Sequence, residues 1–255
     1  MNDSVKSATR VLDLLELFST VVEPLGVTDV AKRLEWPKSS AQALLLTLVG
    51  RGYLTREAEG YTLPADLRGG WVGGIRFRLL GVAAGAMKNM AHESGESAFV
   101  GMMTGAGKIQ YLAKAVSSNE VRYDASLAHP RPLHCTSIGL VILAYMDEKQ
   151  LARWLKPSLL VPVTPRTETD PAKIQRVLRH ARENGYAEVR DANVEGASGV
   201  SAPIFGPGGE VIAGLNLGAP SSRYDANRDK LIRIVCREAA SISTALRAPH
   251  AMKPA

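Results

Sequence analysis

Cysteine is nearly absent from this 255-residue chain: Cys135 and Cys236 stand alone and far apart. That argues against a disulfide scaffold and against a clustered zinc site. No stretch approaches the ~18 uncharged apolar residues that would span a bilayer. The opening MNDSVKSATR lacks the apolar core of an export signal, so a cytoplasmic location without membrane contact is expected. Catalytic grammar is missing too. There is no Gly-x-Ser-x-Gly, no His-Glu-x-x-His and no paired acidic motif. The glycine-rich Gly206-Pro207-Gly208-Gly209 lacks phosphate-loop spacing and reads as a hairpin turn. His92, His129, His180 and His250 carry no motif, and His134 is expected to bond backbone. No catalytic residue, metal or cofactor is expected.

What is present is an ordinary globular composition, 45% hydrophobic and 22% charged, long enough for one large domain or two modest ones. The net charge of +6 is unevenly spread. Residues 1–68 hold eight Lys/Arg against nine Asp/Glu, and the rest of the chain carries the excess. Within 36–56, however, Lys38, Arg51 and Arg56 occur without any acid, a local bias suited to phosphate.

Residues 28–63 organise the chain. Thr28-Asp29 is a helix start, and Val30, Ala31 and Leu34 fall on one helical face. Pro37 breaks that helix and pushes Trp36 away from helical geometry. A second helix follows, with Pro37 in its first turn and Ser39 or Ser40 as cap. Ala41, Leu44, Leu45 and Leu48 form its apolar face, and Gly50 or Gly52 ends it. Tyr53-Leu54-Thr55 and Tyr61-Thr62-Leu63 then flank a polar turn as a small hairpin. Two short helices and a hairpin make a winged helix-turn-helix, and residues 39–50 would span about 18 Å, enough to lie in a major groove.

The remaining elements follow in order. An amphipathic helix over 7–18 carries Val11, Leu14, Leu15 and Phe18 on its stripe, with Asp13 and Glu16 off it. Residues 64–74 are glycine-rich and read as a linker. A helix follows over 75–93, whose Gly81 and Gly85 either permit close packing or weaken it. Strands are expected over 98–104 and 109–115 as a hairpin, over 121–126, and over 187–189, 199–205 and 211–217. Helices are expected over 136–145, 147–154 and 225–246. Another begins at Thr169-Asp170-Pro171 and closes at Gly185, with Ile174, Val177, Leu178 and Ala181 inward. The fold class is α+β, with a winged helix-turn-helix over 1–68, a linker helix over 69–94 and an antiparallel-sheet domain over 95–248.

In the order and spacing of its segments the chain resembles the IclR family of bacterial transcription regulators. The matching runs are VKSATRVLDLLELF, VTDVAKRLEWPKSSAQALLLTLVGRGYL, RPLHCTSIG, TPRTETDPA, ARENGYA and SAPIFGPGGEVIAGLNL. The resemblance implies a GAF/PAS-like effector-binding second domain and assembly as a homodimer or homotetramer. It also implies binding of double-stranded palindromic operator DNA and response to a small carboxylic or aromatic effector. Two departures stand out. Where the family commonly has Ser-Thr-x-x-Arg, this chain has Ser39-Ser40-Ala41-Gln42-Ala43, so Ala43 replaces the arginine. Where many members carry cysteine, this chain has Gly199, which is expected to enlarge the pocket.

The DNA-binding candidates are Lys38, Ser39, Ser40, Gln42, Arg51 and Arg56. Lys38 would meet phosphate together with the helix N-terminus, Gln42 would read bases, and Arg51 and Arg56 would hold the backbone beside the wing. The effector candidates implied by the resemblance are Ser137, Ile138, Val189, Gly199, Asn216 and Gly218. Thr136-Ser137-Ile138-Gly139 suits an anion at a helix start. Asn216 is polar in an otherwise apolar strand and needs a partner, either neighbouring backbone or ligand. Val189, apolar where relatives can be acidic, points to a less polar effector. The leading function is a ligand-responsive transcription regulator. The alternatives are a sensor whose winged helix binds protein, and an enzyme.

Overall fold

A computed structural model describes residues 5–21, 23–64 and 74–247. The expected linker falls mainly on 65–73 and the C-terminal tail on 249–255, both outside the described residues, as is the expected boundary after residue 68. Contacts divide the chain into two compact units between Leu79 and Leu80.

The first unit holds helices α1 (Lys6–Thr20), α2 (Val27–Leu34) and α3 (Lys38–Gly50), then strands β1 (Thr55–Glu57) and β2 (Gly60–Thr62). Its core joins Leu14, Leu15 and Phe18 of α1 to Val30, Ala31, Ala41, Leu45 and Leu48, closed by Leu54, Tyr61 and Leu63. Both expected caps differ from those observed. α2 begins at Val27 behind Gly26, no side chain caps it, and Asp29 in its first turn supplies the favourable charge. Pro37 is itself the N-cap of α3. Its extended backbone (ψ 136°) turns the chain into the helix and its carbonyl accepts from the Ala41 N–H, so neither Ser39 nor Ser40 acts as cap. Between the helices, Glu35 takes the left-handed conformation (φ 55°) and returns its N–H to the Ala31 carbonyl.

The hairpin is also shifted. Arg56 pairs with Tyr61 and Glu57 with Gly60, leaving only Ala58-Glu59 as the turn. Leu25 fixes this register by exchanging two 3.0 Å backbone bonds with Tyr61, beside Gly60. A Cβ on Gly60 would lie 2.6 Å from the Leu25 backbone, so a side chain there would push the Leu25 segment away.

Helix α4 (Gly74–Ser94) leads into the second unit. Leu79, Ala83, Met87 and Met90 form its buried stripe, while Gly81 and Gly85 face open space with no atom of the described residues close by. Strands β3 (Ser97–Met103), β4 (Lys108–Ala115), β5 (Arg131–Pro132), β6 (Ala187–Arg190), β7 (Ala197–Phe205) and β8 (Val211–Pro220) make one antiparallel sheet in the order β5-β4-β3-β8-β7-β6. Helices α5 (Ser137–Ala144), α6 (Glu148–Trp154) and α7 (Pro171–Asn184) follow β5, and α8 (Ser221–Arg247) ends the described chain.

Strand alternation sorts the sheet into two faces. Val200, Ala202, Leu215 and Leu217 lie on one, and Gly199, Ser201, Asn216 and Gly218 on the other. α8 packs along β7 and β8, while α5, buried along its whole length, packs on the same two strands and against α7. Thr136 caps α5 by accepting from the Gly139 N–H, and its own hydroxyl donates to the Pro132 carbonyl. Gly139 is obligatory for this approach, because a Cβ there would stand 2.0 Å from the Leu133 carbonyl oxygen. A capping box at Asp147 starts α6, and Asp170 and Gly185 cap α7 at either end.

Two expectations about secondary structure and facing fail in this unit. Residues 121–126 form no strand, and Val121 is 71% exposed. On the edge of β4 away from β3, strand pairing is confined to Lys108 and Ile109 with β5 among the described residues. The segment is instead tethered by side chains: Lys114 to the Asp124 carboxylate and the Ala125 carbonyl, and Gln110 to the Leu127 carbonyl. Val177 does not face inward but is 39% exposed, since Ile174, Leu178 and Ala181 already fill the buried stripe of α7.

Candidate DNA-binding face and effector cavity

On α3 the apolar stripe is consumed by the core, so the opposite face meets solvent. Lys38, Ser39 and Gln42 are exposed and Ser40 is half-buried. Arg51 closes the helix as its C-cap residue, and Arg56 extends from β1 over the Tyr61 ring at 6.0 Å. Lys38 and Arg51 therefore bracket the exposed face of α3 from its two ends. Ala43, which stands in place of the family's arginine, shares that face with Leu46 and Thr47, two residues not singled out from the sequence. The i, i+4 spacing from Gln42 was the signal that would have found Leu46.

The second unit contains a small cavity of about 30 Å³ between the Asn216 face of the sheet and the start of α5. Five of the six effector candidates line it: Ser137, Val189, Gly199, Asn216 and Gly218. Ile138 does not. Its side chain turns to Gly101 and Gly214, where an added Cβ would lie 3.2 Å and 2.8 Å from it. The cavity also gains Tyr111, Tyr123, Thr136, Asn193 and Ser198. No lining side chain is charged.

Its polar floor is a closed cluster. The Asn216 amide nitrogen donates to the Ser137 hydroxyl (2.9 Å), the Val200 carbonyl (3.0 Å) and the Ser201 hydroxyl (3.1 Å). Ser137 and Ser201 share a further bond at 2.7 Å. Both alternatives for Asn216 thus have a place. Its nitrogen is satisfied internally, while its Oδ1, on the side of Gly218, accepts from no group among the described residues.

The aromatic wall is Tyr111 and Tyr123, whose ring centroids lie 5.0 Å and 5.6 Å from the buried Phe99 ring behind them. The Arg131 guanidinium lies 4.2 Å from the Tyr111 ring on which it stacks. Burial, with Tyr123 beside it, pushes the Tyr111 phenol well above its usual range and keeps it neutral. Tyr123 covers Gly218 so closely that a Cβ there would be 2.7 Å from its ring. Gly199 does not enlarge the space as expected. A Cβ would meet the Leu217 carbonyl at 2.9 Å and the Asn216 amide at 3.0 Å, so the residue makes room for its neighbours, not for a ligand.

The loop after β6 is fixed from below. Thr164 and Thr167 donate to the Asp191 and Ala192 carbonyls, and Asp191 accepts from Ser221 and from the Gly196 N–H. This holds Asn193 and Val194 against the cavity. Cys135 borders it through a 3.8 Å contact with Asn193, and burial pushes its thiol up to about 12, which leaves it an unreactive donor. His134 bonds the Val161 carbonyl at 3.1 Å, and burial lowers its pKa. Among the described residues no group of His, Cys, Asp and Glu is placed to hold a metal, and no helix is long and apolar enough to cross a membrane.

A family model described as the IclR helix-turn-helix domain matches residues 7–58, and one described as the bacterial transcriptional regulator IclR C-terminal domain matches 76–244. The chain belongs to the IclR family of bacterial transcriptional regulators. The chain is 29% identical over 226 residues to the HTH-type transcriptional regulator XynR of Escherichia coli K12, covering 87% of this chain and 88% of that one. The regulator KdgR of the same organism is 28% identical over 229 residues, covering 89% and 86%. Among solved structures, an IclR homolog from Microbacterium hydrocarbonoxydans complexed with 4-hydroxybenzoate is 26% identical, with a TM-score of 0.63 and coverage of 94% and 99%. This IclR-family chain therefore combines a DNA-binding helix-turn-helix with an effector-binding domain, and it is a regulator, not an enzyme.

Proposed function

We propose that this IclR-family regulator responds to a small aromatic or carboxylic acid bound at the cavity at the start of α5, which widens to admit it, and that it acts as a homodimer or homotetramer on a palindromic operator. The genes it controls would then serve the uptake or breakdown of that effector. The observation that carries this reading is the cavity's division of labour. One wall is Tyr111 and Tyr123, and the floor is Ser137 and Asn216, tied to the buried Ser201 behind them, with Asn216 Oδ1 accepting from no group among the described residues. The dipole at the N-terminal end of α5 supplies partial positive charge that suits a carboxylate, and the absence of charged lining favours a ligand with at most one ionic group. The homolog complexed with 4-hydroxybenzoate supports the same ligand class. On DNA, Lys38, Ser39, Ser40 and Gln42 would approach the major groove while Arg51 and Arg56 grip phosphates.

The test is thermal unfolding of the purified protein with hydroxybenzoates, benzoate and short aliphatic carboxylates, paired with binding to DNA from its own upstream region. A member of the panel that raises the melting temperature and changes operator affinity supports the reading. A folded, DNA-binding protein indifferent to every acid would remove the effector class.

A further inference from the structure

Beyond Gln42 the solvent face of α3 offers little hydrogen-bonding capacity. From Ser39 to Gly50 the chain has no Lys, Arg, Asp or Glu. Beyond Gln42 the exposed groups on this face are Ala43, Leu46 and Thr47. The Thr47 hydroxyl already donates to the Ala43 carbonyl at 2.8 Å, so its proton is not available to a base. Leu46 is 46% exposed on a helix whose core contacts are complete without it. A guanine read in the major groove calls for a bidentate Arg or Lys, whereas thymine offers a methyl group that apolar side chains contact.

We infer that Ala43 and Leu46 form an apolar reader for a thymine 5-methyl group, and that with Gln42 they direct this regulator to A·T pairs in each half-site. The inference rests on the proposed placement of α3 in the major groove. Gln42 would pair with adenine through its amide. Leu46 lies one turn further on, about 6 Å along the helix, which corresponds to about two base steps at 3.4 Å each. The methyl contact is therefore expected one or two pairs from the adenine read by Gln42. Lys38 at one end and Arg51 at the other supply charge for the backbone on either side, leaving the middle of the helix to shape and methyl contact.

The experiment selects binding duplexes from a random library with the full-length protein. It then replaces each thymine of the enriched half-site by deoxyuridine, which removes only the methyl group. At one or two positions per half-site, wild type should bind the uracil duplex about fourfold more weakly, the worth of burying one methyl carbon. Leu46→Ser should bind thymine and uracil duplexes equally at one of those positions, and Leu46→Met should restore the difference. An enriched site that tolerates uracil throughout, or a G·C core under α3, overturns the apolar-reader assignment while leaving DNA binding intact. A library that yields no enriched sequence overturns the DNA placement of α3, and this inference with it.

Discussion

The side-chain nitrogen of Asn216 donates to the hydroxyl of Ser137 across 2.9 Å, tying the middle of β8 to the first residue of α5. The two residues are far apart in sequence, and this bond lets a buried amide and a helix start share one small cavity.

Asn216→Ala should therefore cost stability as well as ligand response. It removes donors to Ser137, Ser201 and the Val200 carbonyl, all of them buried. Leaving such groups partly unpaired costs about 2 kcal/mol. Urea unfolding should show that loss, and no effector of the wild type should raise the variant's melting temperature to the same extent. Unaltered stability would mean that the cluster is replaced by water.

Gly139 and Gly218 are both closely approached, yet by different kinds of atom. At Gly139 the obstacle is the Leu133 carbonyl, which cannot rotate away; at Gly218 it is the Tyr123 ring, which can. Gly139→Ala should destabilise the second unit by about 3 kcal/mol. Gly218→Ala should cost under about 1 kcal/mol but weaken effector binding, because the ring moves off the cavity wall. Paired unfolding and ligand titrations separate these outcomes. Equal destabilisation by both substitutions would contradict the distinction.

Burial depresses the pKa of His134 below its ordinary 6.5, so the folded chain prefers the neutral ring. The unfolded chain then binds the proton first as pH falls. The stability this histidine contributes is full above 6.5 and is lost as pH drops through the folded value. Melting temperatures measured downward from pH 7.5 should decline in that window, and His134→Asn should flatten the decline. An unchanged slope would assign the effect to other groups.

On the DNA side, charge and base contacts should separate in salt titrations. Arg51→Gln or Arg56→Gln should weaken binding to all duplexes alike and lower the log–log salt slope by about 0.9 per lost phosphate contact. Gln42→Ala should instead cost about 1–3 kcal/mol at a single base position and leave the slope intact. Unchanged operator affinity and selectivity in Gln42→Ala would remove its assignment as base reader.

Much of this was legible in the residues themselves. The stripes of α1, α3 and α7 follow helical spacing, and Asp170-Pro171 and Gly185 mark both ends of α7, because capping and periodicity are local physics. The turns at 105–108 and 206–209 are equally local. Where the sequence misled, a distant group had intervened. Leu25 set the register of the wing hairpin, and side-chain tethers from β4 took the place of a strand over 121–126. The cavity belongs wholly to this second kind. Tyr111, Tyr123, Ser137, Asn193 and Asn216 sit on separate segments, and only the antiparallel register and the burial of α5 bring them around one space. Local propensity determined the helices, turns and winged helix-turn-helix pattern. Long-range pairing decided which side chains face one another, since that depends on strand register and close approach, which no short stretch of residues encodes.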